Sequence, residues 1–187
     1  MVRGRDPVRA PFTTRMPTAS LRPLRESDLD AVRELLGNAV PVASQLAPLL
    51  SMVESAAIAP SNEQRGIVAD AAGDLAAMAV FGEYAGAAGA GRLHLIAVDQ
   101  RHRRRGLGSI LIERVLAELD SRSARFVLAD LPDERPTLAD YFAFLRASGF
   151  REESRVPDYY RDGVALVMMR RERRGGSRKQ EAESRNG

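Results

Sequence analysis

Gly106 and Gly108 stand two residues apart, where the basic stretch Arg101-His102-Arg103-Arg104-Arg105 meets an apolar-periodic segment beginning at Leu107. Lacking a Cβ, glycines at that junction let an anion approach the first unpaired N–H groups of a helix. Those donors, with the positive end of the helix dipole, make a phosphate site. Arg101, Arg103, Arg104 and Arg105 add positive charge beside it. The implied ligand carries a pyrophosphate or a similar dianion. Two other phosphate loops fail on inspection. A P-loop needs G-x-x-x-x-G-K-[ST], and the only lysine is Lys179. A dinucleotide fingerprint needs a third glycine three positions after Gly108, where Leu111 stands.

Such a loop needs a strand ahead of it and a helix behind. Leu93-His94-Leu95-Ile96-Ala97-Val98 supplies the strand, and Leu107, Leu111 and Val115, flanked by Ile110 and Ile112, form the apolar stripe of the helix. Ordered structure is expected from about Ala19, with Leu21–Leu24 as a first strand and Ser27 as N-cap of a helix ending near Gly37-Asn38. Pro41 and Pro48 punctuate a second helical region reaching about Ala59. Residues 66–71 and 75–81 read as a hairpin turning at Ala72-Gly73-Asp74, and Ala85 to Gly91 as a flexible loop. Beyond the glycine loop follow a strand at 125–130, a helix from about Leu138 to Ser148 with Gly149 at C′, and strands at 150–156 and 164–169. The order is β-α-α-β-β-β-α-β-α-β-β.

At 187 residues the chain has the length of one domain with a substantial core. Cysteine is absent, which excludes disulfides and thiolate metal sites and fits a reducing, cytoplasmic compartment. His94 and His102, the only histidines, cannot build a His-rich metal centre. No apolar run approaches the roughly 20 residues that span a bilayer, so no membrane partner is expected. The net charge of +3 sits at the ends. Residues 1–19 carry four arginines against Asp6, and residues 170–187 carry six arginines and Lys179 against three glutamates. The segment 20–169 has 17 arginines against 21 acids, which argues against a nucleic-acid-binding domain. The expected organisation is a disordered basic leader (1–19), a folded domain (20–169) and a disordered basic tail (170–187). The leader lacks the apolar core of a secretion signal.

Arg103-Arg104-Arg105-Gly106-Leu107-Gly108 resembles the acyl-CoA loop of the GNAT superfamily of N-acetyltransferases, written Q/R-x-x-G-x-G/A. Ile96-Ala97-Val98-Asp99 is similar to the end of that family's fourth strand. Ala147-Ser148-Gly149-Phe150 is similar to its FYEKLGF helix end, and Pro157 to Met168 resembles the C-terminal strand region of many bacterial members. The element order is that of the family, and the resemblance covers about residues 20–169. It implies an α/β fold: a mixed, mostly antiparallel sheet flanked by helices on both faces. It also implies acetyl transfer from acetyl-CoA, the acyl-donor cosubstrate, to an amine by direct transfer in a ternary complex.

The resemblance further implies site residues. Backbone groups of Ile96, Ala97 and Val98 would pair with pantetheine, with the N–H nearest Val98 polarising the acyl carbonyl. Amides of Arg103, Arg104, Arg105, Gly106, Leu107, Gly108 and Ser109 would hold the pyrophosphate. His94, four residues before Val98, would share a strand face with Ile96 and Val98. Its strand is similar to that of serotonin N-acetyltransferases, where a histidine at the matching position relays protons. An imidazole suits deprotonation of an amine. Glu83 is a second base candidate at the mouth of the acceptor site, with Tyr84 as a wall residue. The family tyrosine that protonates the thiolate is replaced by Leu145, and Tyr141, one turn earlier, is its stand-in. His102 reads as a solvated loop residue. Tyr159 and Tyr160 read as pocket wall, with at least one in the core.

The acceptor is open between a small-molecule amine and a peptide amine, and so is the oligomeric state, a homodimer included. Two rivals stand beside the enzyme. One is a noncatalytic acyl-CoA-binding or regulatory module, which Leu145 supports. The other is nucleic-acid binding through the basic tails.

Overall fold

The structure, a computed structural model, describes residues 19–40, 43–134 and 137–173. A seven-stranded sheet runs in the order β1-β2-β3-β4-β5-β7-β6. Its strands are β1 (Ala19–Pro23), β2 (Arg65–Ala71), β3 (Asp74–Glu83), β4 (Ala90–Val98), β5 (Phe126–Pro132), β6 (Arg151–Arg161) and β7 (Val164–Glu172). Only β4 and β5 are parallel neighbours; every other pairing is antiparallel. The helices are α1 (Leu29–Ala39), α2 (Ala43–Ile58), α3 (Leu107–Ser121) and α4 (Ala139–Ala147). The mixed, mostly antiparallel α/β architecture and the element order are those expected.

Each face of the sheet buries its own core. Leu107, Leu111, Val115 and Leu119 of α3 pack with Phe142 and Leu145 of α4 on Ala79, Phe81, Leu93, Ile96 and Ala129. Val32, Leu35 and Leu36 of α1 and Val53 and Ala56 of α2 pack on Val68, Met78, Val80, Leu95 and Ala97 of the other face. The period-2 alternation of strand side chains sorts these two sets.

Several local expectations shift. Asp28, not Ser27, anchors the start of α1: its carboxylate accepts the Arg25 N–H and pairs with Arg22, which also holds Asp70. The Arg22 hydrogen bond holds the Asp28 carboxyl below its ordinary range. Pro48 is carried inside α2, which ends at Ile58, close to the expected end at about Ala59. Ala90 and Gly91 belong to β4, not to a loop. β7 continues to Glu172, because the pairing of Phe126 with Glu172 carries the ladder past residue 169. The expected tails otherwise fall outside the described residues, as does Pro41. Among the described residues no helix is long and apolar enough to cross a membrane, and no cluster of His, Asp and Glu could hold a metal ion.

Candidate active site

The glycine loop is braced from behind. Asp99, buried at the end of β4, accepts the Arg101 N–H and guanidinium, and that pairing holds its carboxyl below the ordinary range. Gln100 reaches the carbonyl of Asn38, and Arg103 turns back to the carbonyls of Val98 (3.1 Å) and Ala39 (3.3 Å). His102 is buried, against expectation, because the 3-10 turn Gln100–His102 folds back on Asp99 and returns its N–H to the Asp99 carbonyl. The chain then turns left-handed at Arg104 (φ 60°) and Gly106 (φ 82°), a conformation that costs an L-residue about 1–2 kcal/mol.

The first helical bond of α3 runs from the Ile110 N–H to the Gly106 carbonyl. Among the described residues, no acceptor meets the six amides from Arg104 to Ser109. Arg101 and Arg103 are committed elsewhere, which leaves exposed Arg104 and Arg105 to face an anion. Of the seven amides expected to face an anion, that of Arg103 is taken by the Gln100 carbonyl (3.3 Å), and of the four arginines expected beside them only Arg104 and Arg105 are uncommitted among the described residues.

Next to this loop the sheet opens. β4 and β5 pair only at Ala90–Arg92 with Phe126–Leu128. The Asp99 N–H donates to Ala76 of β3, so by alternation the N–H groups of Ile96 and Val98 point away from β3, into the gap. Tyr141 of α4 lies there, its hydroxyl against the Ile96 backbone. Burial pushes the phenol well above its ordinary value and that hydrogen bond opposes the shift. Tyr141 thus stays protonated. Leu145 is fully buried in the α3/α4 core, so the position expected to carry a tyrosine faces packing rather than the gap. Phe144 sits between these elements, and a Cβ on Gly108 would come within 3.2 Å of its ring.

His94 does not share the strand face of Ile96 and Val98 that even spacing predicts. Phe81 pairs with Leu93 and Val80 with Leu95, so His94 is the extra residue of a β-bulge. A bulge re-aims its side chain. Leu93 and Ile96 share the α3 face, while the His94 Nε2 reaches the Glu63 carbonyl (3.1 Å), in the loop after α2. That loop lies on β3 so closely that a Cβ on Gly82 would sit 2.0 Å from the Glu63 oxygen. A carbonyl only accepts, so Nε2 carries the proton and Nδ1 keeps its lone pair. Desolvation lowers the imidazole's pKa below its ordinary value. The Glu63 bond opposes this, Arg92 adds to it, and Asp130 opposes it.

Arg92 and Asp130 were not singled out in the sequence. Gly91 faces Leu119 of α3, and Val127, Ala129 and Leu131 of β5 join the α3 core, so Arg92 and Asp130 project from the opposite face. They pair across the β4–β5 junction at 2.6 Å. Arg92 stacks on the Tyr84 ring, 5.2 Å from its centroid. Burial and nearby Asp130 push the Tyr160 phenol up. The signal that could have found Asp130 is a lone acid in the apolar run Phe126-Val127-Leu128-Ala129.

Glu83 is not brought to this group. It follows Gly82 on the α3 side of β3, where Arg122 approaches it at 3.6 Å. Tyr159 and Tyr160 stack edge to face at 5.1 Å, and neither is core, because β6 is an edge strand exposed along its whole length.

The β4–β5 gap thus joins two half-sites, unpaired amides on the α3 side and titratable side chains on the α1/α2 side. Solved structures share this fold. A GNAT-family protein of Desulfovibrio desulfuricans superposes with TM-score 0.74 at 21% identity, over 83% of this chain and 99% of that one. The ribosomal-protein-S18-alanine N-acetyltransferase of Escherichia coli gives 0.66 at 20%, over 83% and 94%. A Salmonella typhimurium protein solved with acetyl-CoA gives 0.62 at 16%, over 83% and 94%. No curated protein matches the chain in sequence. The model of the acetyltransferase (GNAT) family matches residues 29–144, more than half of the chain, across the loop, the gap and the bulged strand. The chain belongs to the GNAT family of acetyltransferases.

Proposed function

We propose that the protein transfers the acetyl group of acetyl-CoA to an amine by direct attack within a ternary complex. The observation that carries the reading is the open β4–β5 gap, with six unpaired amides at one mouth and a neutral histidine at the other. Amides of Arg104 to Ser109 fit the pyrophosphate as donors, and the N–H groups of Ile96 and Val98 line the path of the pantetheine arm. The cosubstrate supplies a thioester, an acyl group already activated for attack. A backbone N–H at Val98 stabilises charge on its carbonyl oxygen.

On the opposite face, Asp130 attracts the cationic amine, and the Nδ1 of His94 takes the proton an ammonium must lose before it can attack. The C–N bond forms, the attacking nitrogen sheds its second proton to solvent, and the C–S bond breaks. The departing thiolate takes a proton from water or from Tyr141, which solvent then reprotonates. Tyr141 can supply it because it is held protonated at the gap. Glu83 takes no part, since it turns to the other face.

The test is release of free CoA thiol from acetyl-CoA against a panel of amines. Turnover with at least one class is expected. Tight CoA binding without turnover on any amine would favour a noncatalytic acyl-CoA-binding module, the reading to which buried Leu145 lends weight.

A further inference from the structure

The Arg92–Asp130 pair has capacity left on both partners. The Asp130 side chain is only 11% exposed, and its second oxygen, Oδ1, is buried with no hydrogen-bond partner. A buried carboxylate oxygen without a donor costs about 1–3 kcal/mol, so its retention calls for a reason. Arg92 gives Nη2 to Asp130 and its flat face to Tyr84, while Nε and Nη1 meet no acceptor among the described residues. The pair therefore holds a buried, unpaired acceptor and unpaired charged donors side by side at the β4–β5 junction, and a small turn of the Asp130 side chain would bring Oδ1 to an arriving amine.

A ligand that satisfies both carries a cationic amine and, within a few bonds, an oxygen acceptor. We propose that the acceptor is an α-amine whose neighbouring carbon bears a carboxylate or carbonyl oxygen, with the ammonium on Asp130 Oδ1 and the oxygen on Arg92. This inference rests on the N-acetyltransferase reading and deepens it. The head group is shared by free amino acids and peptide N-termini. A polyamine or aminoglycoside fits worse. A second cationic centre close to the first would face the Arg92 guanidinium, which is itself positive and calls for an acceptor. A simple alkylamine or arylalkylamine would cover Arg92 without giving it an acceptor.

The experiment compares each of the twenty L-amino acids, and its amide, with the amine left when the carboxyl carbon is removed. Thiol release reads turnover, and calorimetry on the CoA-loaded protein reads binding of the same pairs without it. The carbonyl-bearing partner should be preferred by about tenfold or more, the worth of one charge-assisted hydrogen bond. Arg92→Met should collapse that preference toward unity, chiefly through KM, and Arg92→Lys should restore part of it. A preference for the acid over its amide identifies a free amino acid. Equal use of the two identifies a peptide N-terminus. Decarboxylated amines that bind and react as well as their parents, or an Arg92→Met preference ratio equal to wild type, would overturn the proposal. Selective binding of the carbonyl-bearing partner with no turnover would sustain it and overturn the transferase reading instead.

Discussion

The two mouths of the β4–β5 gap are built in opposite ways. The α3-side mouth is main chain: consecutive amides from Arg104 to Ser109, set by a left-handed turn at Gly106 and braced by Asp99 and Arg103. The α1/α2-side mouth is side chain. Arg92 and His94 come from β4, Asp130 from β5, and the carbonyl that orients His94 from the loop after α2. Main-chain recognition tolerates change in side chains and answers a fixed ligand feature. Side-chain recognition can be altered one residue at a time, and that suits the half-site we propose to select the acceptor. Variants of the two mouths should therefore separate cosubstrate binding from turnover.

The largest separation is expected for His94→Gln. Loss of a general base lowers kcat by about 10²–10⁴-fold. CoA affinity, read by calorimetry, should stay within about twofold of wild type, since each tenfold corresponds to about 1.4 kcal/mol and His94 lies away from the loop. Parallel loss of both quantities would break the division. Gly106→Val is the mirror experiment. A strain of about 2 kcal/mol at a left-handed position translates to roughly thirtyfold weaker CoA binding. Its turnover at saturating acetyl-CoA should fall far less.

The pH dependence sharpens the same contrast. His94 must be neutral to accept a proton, and its pKa lies below the ordinary histidine value. The acid limb of the rate profile is therefore expected below pH 6.5. Arg92 lowers that pKa and Asp130 raises it, so Arg92→Met should move the limb up and Asp130→Asn should move it down. Stability follows by linkage. As pH falls through 6.5 the unfolded chain takes up a proton that native His94 refuses, so this group's contribution is lost toward acid pH. CoA binding should show no such limb.

The smallest effect is expected for Tyr141→Phe. A few-fold drop in kcat, greatest at high pH where solvent protons are scarce, would support the phenol as donor to the sulfur. An unchanged profile would assign that step to water.

How far the sequence revealed each mouth follows from their construction. The loop is local: glycine, arginine and helical periodicity lie within sixteen residues of one another, so the strand–loop–helix unit from Leu93 to Leu116 is readable from the sequence. So is the order of strands and helices, because period-2 and period-3.6 patterns mark them independently of packing. The α1/α2-side mouth is not local. Residue type singles out His94, yet even spacing gives it the wrong face because a single extra residue in β4 reverses the alternation. Glu83 was misplaced for a related reason: closeness in sequence to the strand end does not tell which face it takes. Asp130 stayed hidden because its partner, Arg92, lies 38 residues away. His102 was misjudged because a short 3-10 turn, invisible to either periodicity, buried it.

The most direct measurement is an amide-resolved NMR titration of the isotopically labelled full chain with CoA. The largest shifts are expected at the backbone N–H groups of Arg104 to Ser109, with smaller ones at Ile96 and Val98 and little change at Asp130. Saturable binding that leaves the Arg104–Ser109 amides unmoved, or no binding at all, would contradict it.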